Sequence, residues 1–362
     1  MSLPTRAVVF DPATRKTQLQ TLTLAEPVAD QVQVKIVATG VCHSDLHIVD
    51  GDWPVDTPLV LGHEGAGVVE AVGPLVRDVR VGDHVVLSWF APCRRCDACA
   101  AGRAWLCANT TATANTLPDG STPYAEDVLP FLGVGTFSEY VVVPEAAAIT
   151  VADDVPLDVA SLIGCAVTTG VGAVTNTAGV RPGESGVVIG VGGVGQAAVL
   201  GLALVGADPI VAVDLSGPRL ELASELGATH TLRGDDPALA ERVLEITGGA
   251  HHVFEAIGRV PTIESMPGLL RAGGQAVIVG MTGFDASVSL NPFDLADRGI
   301  SVLGCNYGSS VPSVDFPRIA ALHRSGRLPL SRLVGSGGTL DDVERAFADL
   351  RAGAGLRTVL RP

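Results

Sequence analysis

Lysine is almost missing from this chain: Lys16 and Lys35 are the only two, and arginine supplies the other basic side chains. Against 24 basic residues stand 39 acidic ones, for a net charge of −15. Nucleic acids and anionic membranes require basic surfaces, so this balance argues against both as partners. No apolar run reaches the length that crosses a bilayer, and Met1–Phe10 lacks the order of basic, apolar and small residues found in a secretory leader. Charged residues are only 17% of the total and aromatics 4%, with hydrophobic residues at 47%, the proportions of a well-buried globular protein. No internal repeat is seen. At 362 residues the chain is long enough for two domains with substantial cores. Its seven cysteines, an odd number, make a poor disulfide framework and fit a reducing cytoplasm better.

Those cysteines are concentrated. Cys93, Cys96 and Cys99 follow one another at two-residue intervals, and Cys107 comes shortly after. Four thiolates so placed can close a tetrahedron around one ion, whereas disulfides between such near neighbours are strained. The spacing predicts a structural zinc lobe. A bacterial iron–sulfur motif opens with the same interval, but its fourth cysteine follows after three residues with a proline behind it, unlike Cys107 and Ala108. Cys305 stands apart and reads as a small core residue.

Up to about residue 150 the chain is rich in short β-type runs broken by glycine, such as 7–10, 32–37, 67–72 and 84–87. Period-2 alternation with glycine and proline punctuation predicts a compact, mostly antiparallel β domain. Residues 108–135 are polar and read as a long surface loop. From about residue 156 the texture changes to strands alternating with helix-length segments. Strands are expected at 186–189, 210–213, near 229, at 252–254, 275–279 and 300–303, with helices at 193–206, 216–227, 237–247 and 261–271. Six strands with intervening helices spell an α/β doubly wound parallel sheet. The tail, with helices near 313–325 and 340–352, is too short to stand alone and is expected to rejoin the first domain. The boundaries drawn are 1–163 plus 304–362 for the catalytic domain and 164–303 for the nucleotide domain.

Within that second domain, Gly190, Gly192, Gly193, Val194 and Gly195 directly follow the strand at 186–189 and open a helix. In that context the glycines provide a tight turn, room for a pyrophosphate against the backbone, and close packing of helix on strand. The helix N-terminus offers amide donors to the anion. Asp214 ends the second strand, about twenty residues on, where a carboxylate accepts from ribose hydroxyls and repels a 2′-phosphate. The expectation is a dinucleotide site for NAD rather than NADP. A glycine-rich turn that binds nothing is the alternative, and strand, helix and acidic residue together disfavour it.

Cys42, His63 and Cys165 lie in segments that read as turns or as the approach to the nucleotide domain. Two thiolates and an imidazole can hold a catalytic zinc with one position open, a set given in general accounts of alcohol dehydrogenase zinc sites. Zinc at an open position acidifies a bound alcohol and so favours loss of hydride from its carbon. Taken singly, each residue is more simply read as a buried core side chain.

From the residues around Cys42 and from Gly62-His63-Glu64-Gly65, through the cysteine lobe and Gly190–Gly195, to Leu356-Arg357-Thr358, the sequence resembles the zinc-dependent medium-chain alcohol dehydrogenases. The resemblance covers essentially the whole chain. It implies a GroES-like β-rich catalytic domain beside a Rossmann domain, and two zinc ions per subunit. Cys42, His63 and Cys165 would bind the catalytic zinc, and Cys93, Cys96, Cys99 and Cys107 the structural one. Glu64 matches a carboxylate that can approach the catalytic zinc, and Asp45 a partner that orients the histidine ligand. Ser44 and His47 match a proton relay that runs from the substrate through the ribose to the surface. The resemblance also places His43 and Arg357 near the pyrophosphate, Arg219 near the adenosine ribose, and Thr169 and Val194 against the nicotinamide. Isolated arginines such as Arg219 and Arg357 otherwise read as solvated surface residues.

The same resemblance puts Trp53 and Trp89, with neighbouring Phe90, in the substrate cleft between the domains. Aromatic walls favour apolar or ring-bearing alcohols. The expected reaction is reversible oxidation of a primary alcohol, aryl or medium-chain, to its aldehyde. Two other readings stay open. One is a thiol-dependent formaldehyde dehydrogenase of the mycothiol type, since the glutathione-dependent members carry arginine where this chain has Thr111. The other is a non-catalytic nucleotide- and zinc-binding sensor module. The expected partner is a small-molecule alcohol or aldehyde, the location cytoplasmic, and the assembly a homodimer, with a tetramer as the alternative.

Overall fold

The computed structural model describes residues 2–353 and 356–362. Along the chain come β1 (Leu3–Asp11), β2 (Lys16–Leu24), β3 (Gln31–Gly40), α1 (His43–Asp50), β4 (Leu59–Val60), β5 (Glu64–Val72), β6 (His84–Leu87), α2 (Asp97–Ala100), β7 (Leu129–Pro130), β8 (Tyr140–Pro144), β9 (Ala148–Thr150) and α3 (Leu157–Leu162). Next are α4 (Thr168–Gly172), β10 (Gly186–Ile189), α5 (Gly193–Val205), β11 (Ile210–Asp214), α6 (Gly217–Glu225), β12 (His230–Arg233) and α7 (Leu239–Thr247). They are followed by β13 (Ala250–Glu255), α8 (Val260–Leu269), β14 (Leu270–Ile278), α9 (Pro292–Arg298) and β15 (Ser301–Gly304). The tail adds α10 (Pro312–Arg324), β16 (Val334–Gly338), α11 (Val343–Arg351) and β17 (Arg357–Leu360). Two compact units result: Met1–Cys165 with Val311–Gly326 and Leu330–Pro362, and Ala166–Ser310 with Arg327–Pro329. The chain thus returns to the first unit at residue 311, where the sequence suggested 304.

The first unit is built on a seven-stranded sheet, β16-β17-β3-β5-β6-β9 with β8 also on β3, and a four-stranded sheet, β2-β1-β4-β7. Alternation drives it: Val32, Val34 and Ile36 of β3 are buried on one face with Val69, Val85 and Val143, while Lys35 points out. The second unit is the six-stranded parallel sheet β12-β11-β10-β13-β14-β15. Its central strand β10 is buried at every position, as expected of a strand covered on both faces.

Three sequence readings need correction. Residues 108–135 are not a plain surface loop: Ala112, Leu117, Tyr124, Val128 and Phe131 are buried, and β7 pairs in parallel with β4. The anchors are sparse and aperiodic among threonines and asparagines, so composition hides them. The stretch holding Cys42 to His47 is not a turn, because α1 begins directly after Cys42. Finally, residues Leu157–Ala178 form one helical run of 22 residues, long and apolar enough by composition to cross a membrane. Its most apolar window is 89% buried inside the protein, so it is a core helix. Two π-helical turns, Ile163–Val167 and Ala173–Ala178, interrupt it, a feature often found where a helix carries a functional side chain.

Candidate active site

Cys42 is the N-cap of α1, and the third helical residue, Asp45, reaches back so that its Oδ2 accepts from the Cys42 N–H at 3.1 Å. The other oxygen of this fully buried carboxylate accepts from the Gly62 N–H at 3.0 Å and faces His63 Nδ1 at 3.3 Å. One side chain therefore ties the start of a helix to the start of a strand and sets the imidazole between them. Gly62 is required for this: its φ is +88°, and a Cβ there would lie 2.3 Å from the Phe137 ring. The Phe131 ring stands edge-on to His63, with centroids 5.6 Å apart. Cys165 arrives from the π-helical turn Ile163–Val167. Ligand atoms of Cys42, His63, Glu64 and Cys165 all lie within 4.8 Å of one another and all four residues are buried.

Two features show that the group fits a metal ion. His63 Nε2 and Glu64 Oε2 are buried without a hydrogen-bond partner, a costly state for polar atoms unless a cation satisfies them. The donor set of two sulfurs and an imidazole is that of an open zinc site. Of the three donors, electrostatics favour the ligating form of Cys42 alone. The Cys42 thiol is held well below its ordinary value by a hydrogen bond from Cys165, with further help from Arg357 and His63 against the effect of burial. That same bond, together with burial, pushes Cys165 up, so one proton is shared by the pair. Burial lowers His63, but the Asp45 carboxylate and the Cys42 thiolate outweigh it and raise the imidazole. Zinc must therefore displace protons on entering. Burial lifts Glu64 to about 7 against the pull of Arg357.

Arg357 is not the solvated surface residue that an isolated arginine suggests. It is buried beside the ligand cluster, donating to Glu64 Oε1 at 2.8 Å, to the Val41 carbonyl at 3.0 Å and to Cys42 Sγ at 3.6 Å. Nothing in its sequence context, Leu356 to Thr358, signals a buried partner. Ser44 Oγ lies 3.8 Å from Cys42 Sγ. His47, near the end of α1, has Nδ1 2.8 Å from Asp52 Oδ2 and stacks on Trp53 with ring centroids 4.7 Å apart. Trp53 packs against the core that contains Leu46 and Phe347, whereas Trp89 packs with Val85 and Leu87 and meets Phe90 edge-on at 5.6 Å. Thr111 lines a narrow pocket with Trp89 and spends its hydroxyl on the Thr116 carbonyl at 3.0 Å. His43 is exposed on α1.

In the lobe after β6, ligand atoms of Cys93, Cys96, Cys99 and Cys107 also lie within 4.8 Å of one another. Backbone amides point at the sulfurs: Cys93 N–H to Cys107 Sγ at 3.3 Å and Cys96 N–H to Cys93 Sγ at 3.4 Å. Asn109, which sequence reasoning missed, donates to Cys93 Sγ at 3.3 Å, and this bond leads the causes that bring the Cys93 thiol down to about 6. Burial lifts Cys99 to about 12.

In the second unit the glycine turn joins β10 to α5. A Cβ on Gly195 would sit 1.9 Å from the Gly190 carbonyl, so only glycine lets the helix approach the strand this closely. Asp214, at the end of β11, accepts from the Val191 N–H and the Ser216 N–H, both at 2.9 Å, with Arg219 Nη1 4.0 Å away. Gln196 braces the loop from inside, donating to the carbonyls of Val191 and Arg219. Thr169 is on α4, whose Gly170 is in backbone contact with Val194 of α5.

A β-rich unit with two metal-type clusters and a doubly wound unit with a glycine turn define a zinc-binding oxidoreductase. Residues 28–153 match the alcohol dehydrogenase GroES-like domain family and residues 193–324 the zinc-binding dehydrogenase family. The chain is 35% identical over 372 residues to the S-(hydroxymethyl)glutathione dehydrogenase of Paracoccus denitrificans, covering 98% of this chain and 99% of that protein. It is 36% identical over 367 residues to the NDMA-dependent alcohol dehydrogenase of Amycolatopsis methanolica, covering 99% of each. Its fold matches the crystal structure of benzyl alcohol dehydrogenase from Acinetobacter calcoaceticus with a TM-score of 0.94 at 33% identity, covering 99% of each chain. The chain belongs to the zinc-dependent medium-chain alcohol dehydrogenases. It is an enzyme of zinc-dependent alcohol oxidation acting on small alcohols and aldehydes, and its two clusters fit a catalytic and a structural zinc.

Proposed function

We propose that this enzyme oxidises an apolar primary alcohol, best one bearing an aromatic ring, to its aldehyde with NAD as acceptor. The observation that carries the chemistry is the buried Cys42, His63 and Cys165 group with the unpartnered His63 Nε2. Zinc held there supplies a Lewis acid that lowers the pKa of the substrate hydroxyl, and NAD supplies the hydride acceptor. In this reading Asp45 fixes His63, Glu64 is the standby ligand, Ser44 takes the hydroxyl proton, and His47 delivers it to solvent. The four-cysteine lobe holds the structural zinc. The glycine turn seats the pyrophosphate, Asp214 the adenosine ribose beside Arg219, and Thr169 and Val194 the nicotinamide, with His43 and Arg357 near the phosphates. The return of the chain at Val311 supports a catalytic domain made from both ends of the sequence.

Preference for ring-bearing alcohols is supported by the indole and phenyl rings of Trp89, Phe90 and Trp53 and by the fold match to a benzyl alcohol dehydrogenase. Thr111, engaged with its own loop, offers no cation for a glutathione carboxylate. The deciding measurement is NADH formation from benzyl alcohol, ethanol and formaldehyde, the last with and without glutathione or mycothiol, repeated with NADP. Benzyl alcohol with NAD is expected to exceed ethanol by about tenfold or more in kcat/KM. Turnover of the thiol adduct alone, or a preference for NADP, would overturn the substrate or the cofactor half of this reading.

A homodimer in a reducing cytoplasm completes the proposal. Seven free cysteines gathered mostly into metal-type clusters support the compartment. For the assembly, β15 is an edge strand, and the segment leading to it exposes Phe284 at 77% and Phe293 at 76%, with Met281, Val288 and Val302 also exposed. Apolar side chains beside an open sheet edge are a liability that a second copy removes. Sedimentation should give twice the 37.0 kDa chain mass, falling to one chain in a Phe284→Asp, Phe293→Asp variant. A monomeric wild type would exclude the dimer.

A further inference from the structure

We propose that Asp52 is a positioning residue for His47, holding the imidazole in the tautomer whose Nε2 is free to accept a proton. The inference rests on the reading of His47 as the outer end of the proton relay. Neutral imidazole carries one N–H, and which nitrogen bears it is set by the bond the other makes. In this chain Asp52 Oδ2 lies 2.8 Å from His47 Nδ1. A carboxylate only accepts, so the proton is on Nδ1 and the lone pair on Nε2. Ring rotation is hindered as well, because the Trp53 indole stacks on the imidazole at 4.7 Å with planes 26° apart.

The local chain is built to produce this contact. Helix α1 ends at Gly51, which adopts φ 87° and donates to the Ile48 carbonyl. That left-handed step reverses the backbone, and the Trp53 N–H then bonds the His47 carbonyl at 3.0 Å. Asp52 and Trp53 are thereby folded back onto the histidine that precedes them, one at its Nδ1 edge and the other on a ring face. Other charged groups nearby are engaged elsewhere: Arg351 pairs with Asp50 at 2.5 Å, and Arg15 donates to the Asp50 carbonyl at 2.9 Å. His43 is one turn earlier on the same helix. With 56% of its side chain exposed, Asp52 adds little to stability as an ion pair, so a role in orienting His47 accounts for the contact better than a role in folding. In the relay the substrate O–H bond breaks, Ser44 passes the proton on, and the new bond is Nε2–H of His47. The Nδ1 proton stays on the ring, donated to Asp52 throughout, and the proton on Nε2 leaves to solvent.

The test compares Asp52→Asn, Asp52→Ala, Asp52→Glu and His47→Gln in the zinc-loaded enzyme. Nitrogen-15 spectra of histidine-labelled protein, with the His47 signals identified by their loss in His47→Gln, report the tautomer directly. Wild type should show Nδ1–H, and Asp52→Ala a mixture. In alcohol oxidation Asp52→Asn and Asp52→Ala should lower kcat about tenfold with KM and zinc content unchanged, as loss of an orienting partner does elsewhere. Asp52→Glu should recover part of the loss, and added imidazole should rescue the Asn and Ala variants. An unchanged tautomer in Asp52→Ala, or unchanged kcat where His47→Gln is impaired, overturns the role of Asp52. Unchanged kcat in His47→Gln itself overturns the relay reading on which it rests.

Discussion

Replacing Cys42 with serine, or His63 with alanine, should abolish alcohol oxidation while leaving NAD binding measurable. Each residue supplies one of three donors, and two remaining donors hold zinc poorly in a site that keeps one position open. Without the ion the substrate hydroxyl keeps a pKa close to that of an ordinary alcohol, and the barrier to hydride loss rises by several kcal/mol, about a thousandfold or more in rate. Zinc analysis should fall from about two ions per chain to about one, because the cysteine lobe is a separate cluster. Cys96→Ser should do the opposite, emptying the lobe and sparing the buried site. NAD titration by fluorescence reads chiefly the second unit, whose glycine turn and Asp214 contain none of the substituted residues. Full turnover in either Cys42→Ser or His63→Ala would remove the metal assignment and the mechanism built on it.

Much of this site was legible in the sequence because its signals are local. The two-residue cysteine intervals, the glycine turn between a buried strand and a helix, and Asp214 at the next strand end each need only their neighbours to be read. The β domain followed from alternation in β3, and the doubly wound sheet from apolar runs such as β10. What could not be read depends on distant contacts. Arg357 looks like a surface arginine until β17 pairs with β3 and brings it beside Glu64. Asp45 announces a helix start only if Cys42 is accepted as an N-cap, an uncommon residue for that position. The segment from Ala112 to Phe131 buries side chains with no period, so neither helix nor strand templates detect it. The 157–178 run is hidden because threonines and glycines interrupt its apolar residues and its two π-helical turns depart from the ordinary helical period.

Arg357→Met should be the most destabilising single change near the site, and its cost should grow with pH. The pair it breaks is buried on both sides, 6% exposed for Arg357 and 0% for Glu64, and loss of one partner from such a pair costs about 3–5 kcal/mol. Methionine fills most of the volume, so the penalty is mainly the carboxylate left alone, plus the lost bond to the Val41 carbonyl. Glu64 can escape by taking up a proton. Its folded value of about 7 is already above the unfolded one because burial outweighs the attraction of Arg357. A carboxyl raised by folding binds more protons in the native state, so its contribution to stability falls as pH rises from the unfolded value through the folded one. In the wild type that fall ends near pH 7; without the arginine the folded value moves higher and the fall continues into alkali. The variant should therefore be only modestly weaker than wild type in urea unfolding at pH 6, and weaker by an additional roughly 1.4 kcal/mol for each unit by which the Glu64 value has moved once the pH exceeds it. Pairing Arg357→Met with Glu64→Gln removes the titrating group, so the double variant should recover most of the alkaline loss and show a flat pH dependence at this position. Equal stability of Arg357→Met and wild type at pH 9, or a double variant no better than the single one, would mean that the buried ion pair is not what holds β17 and the start of β5 together.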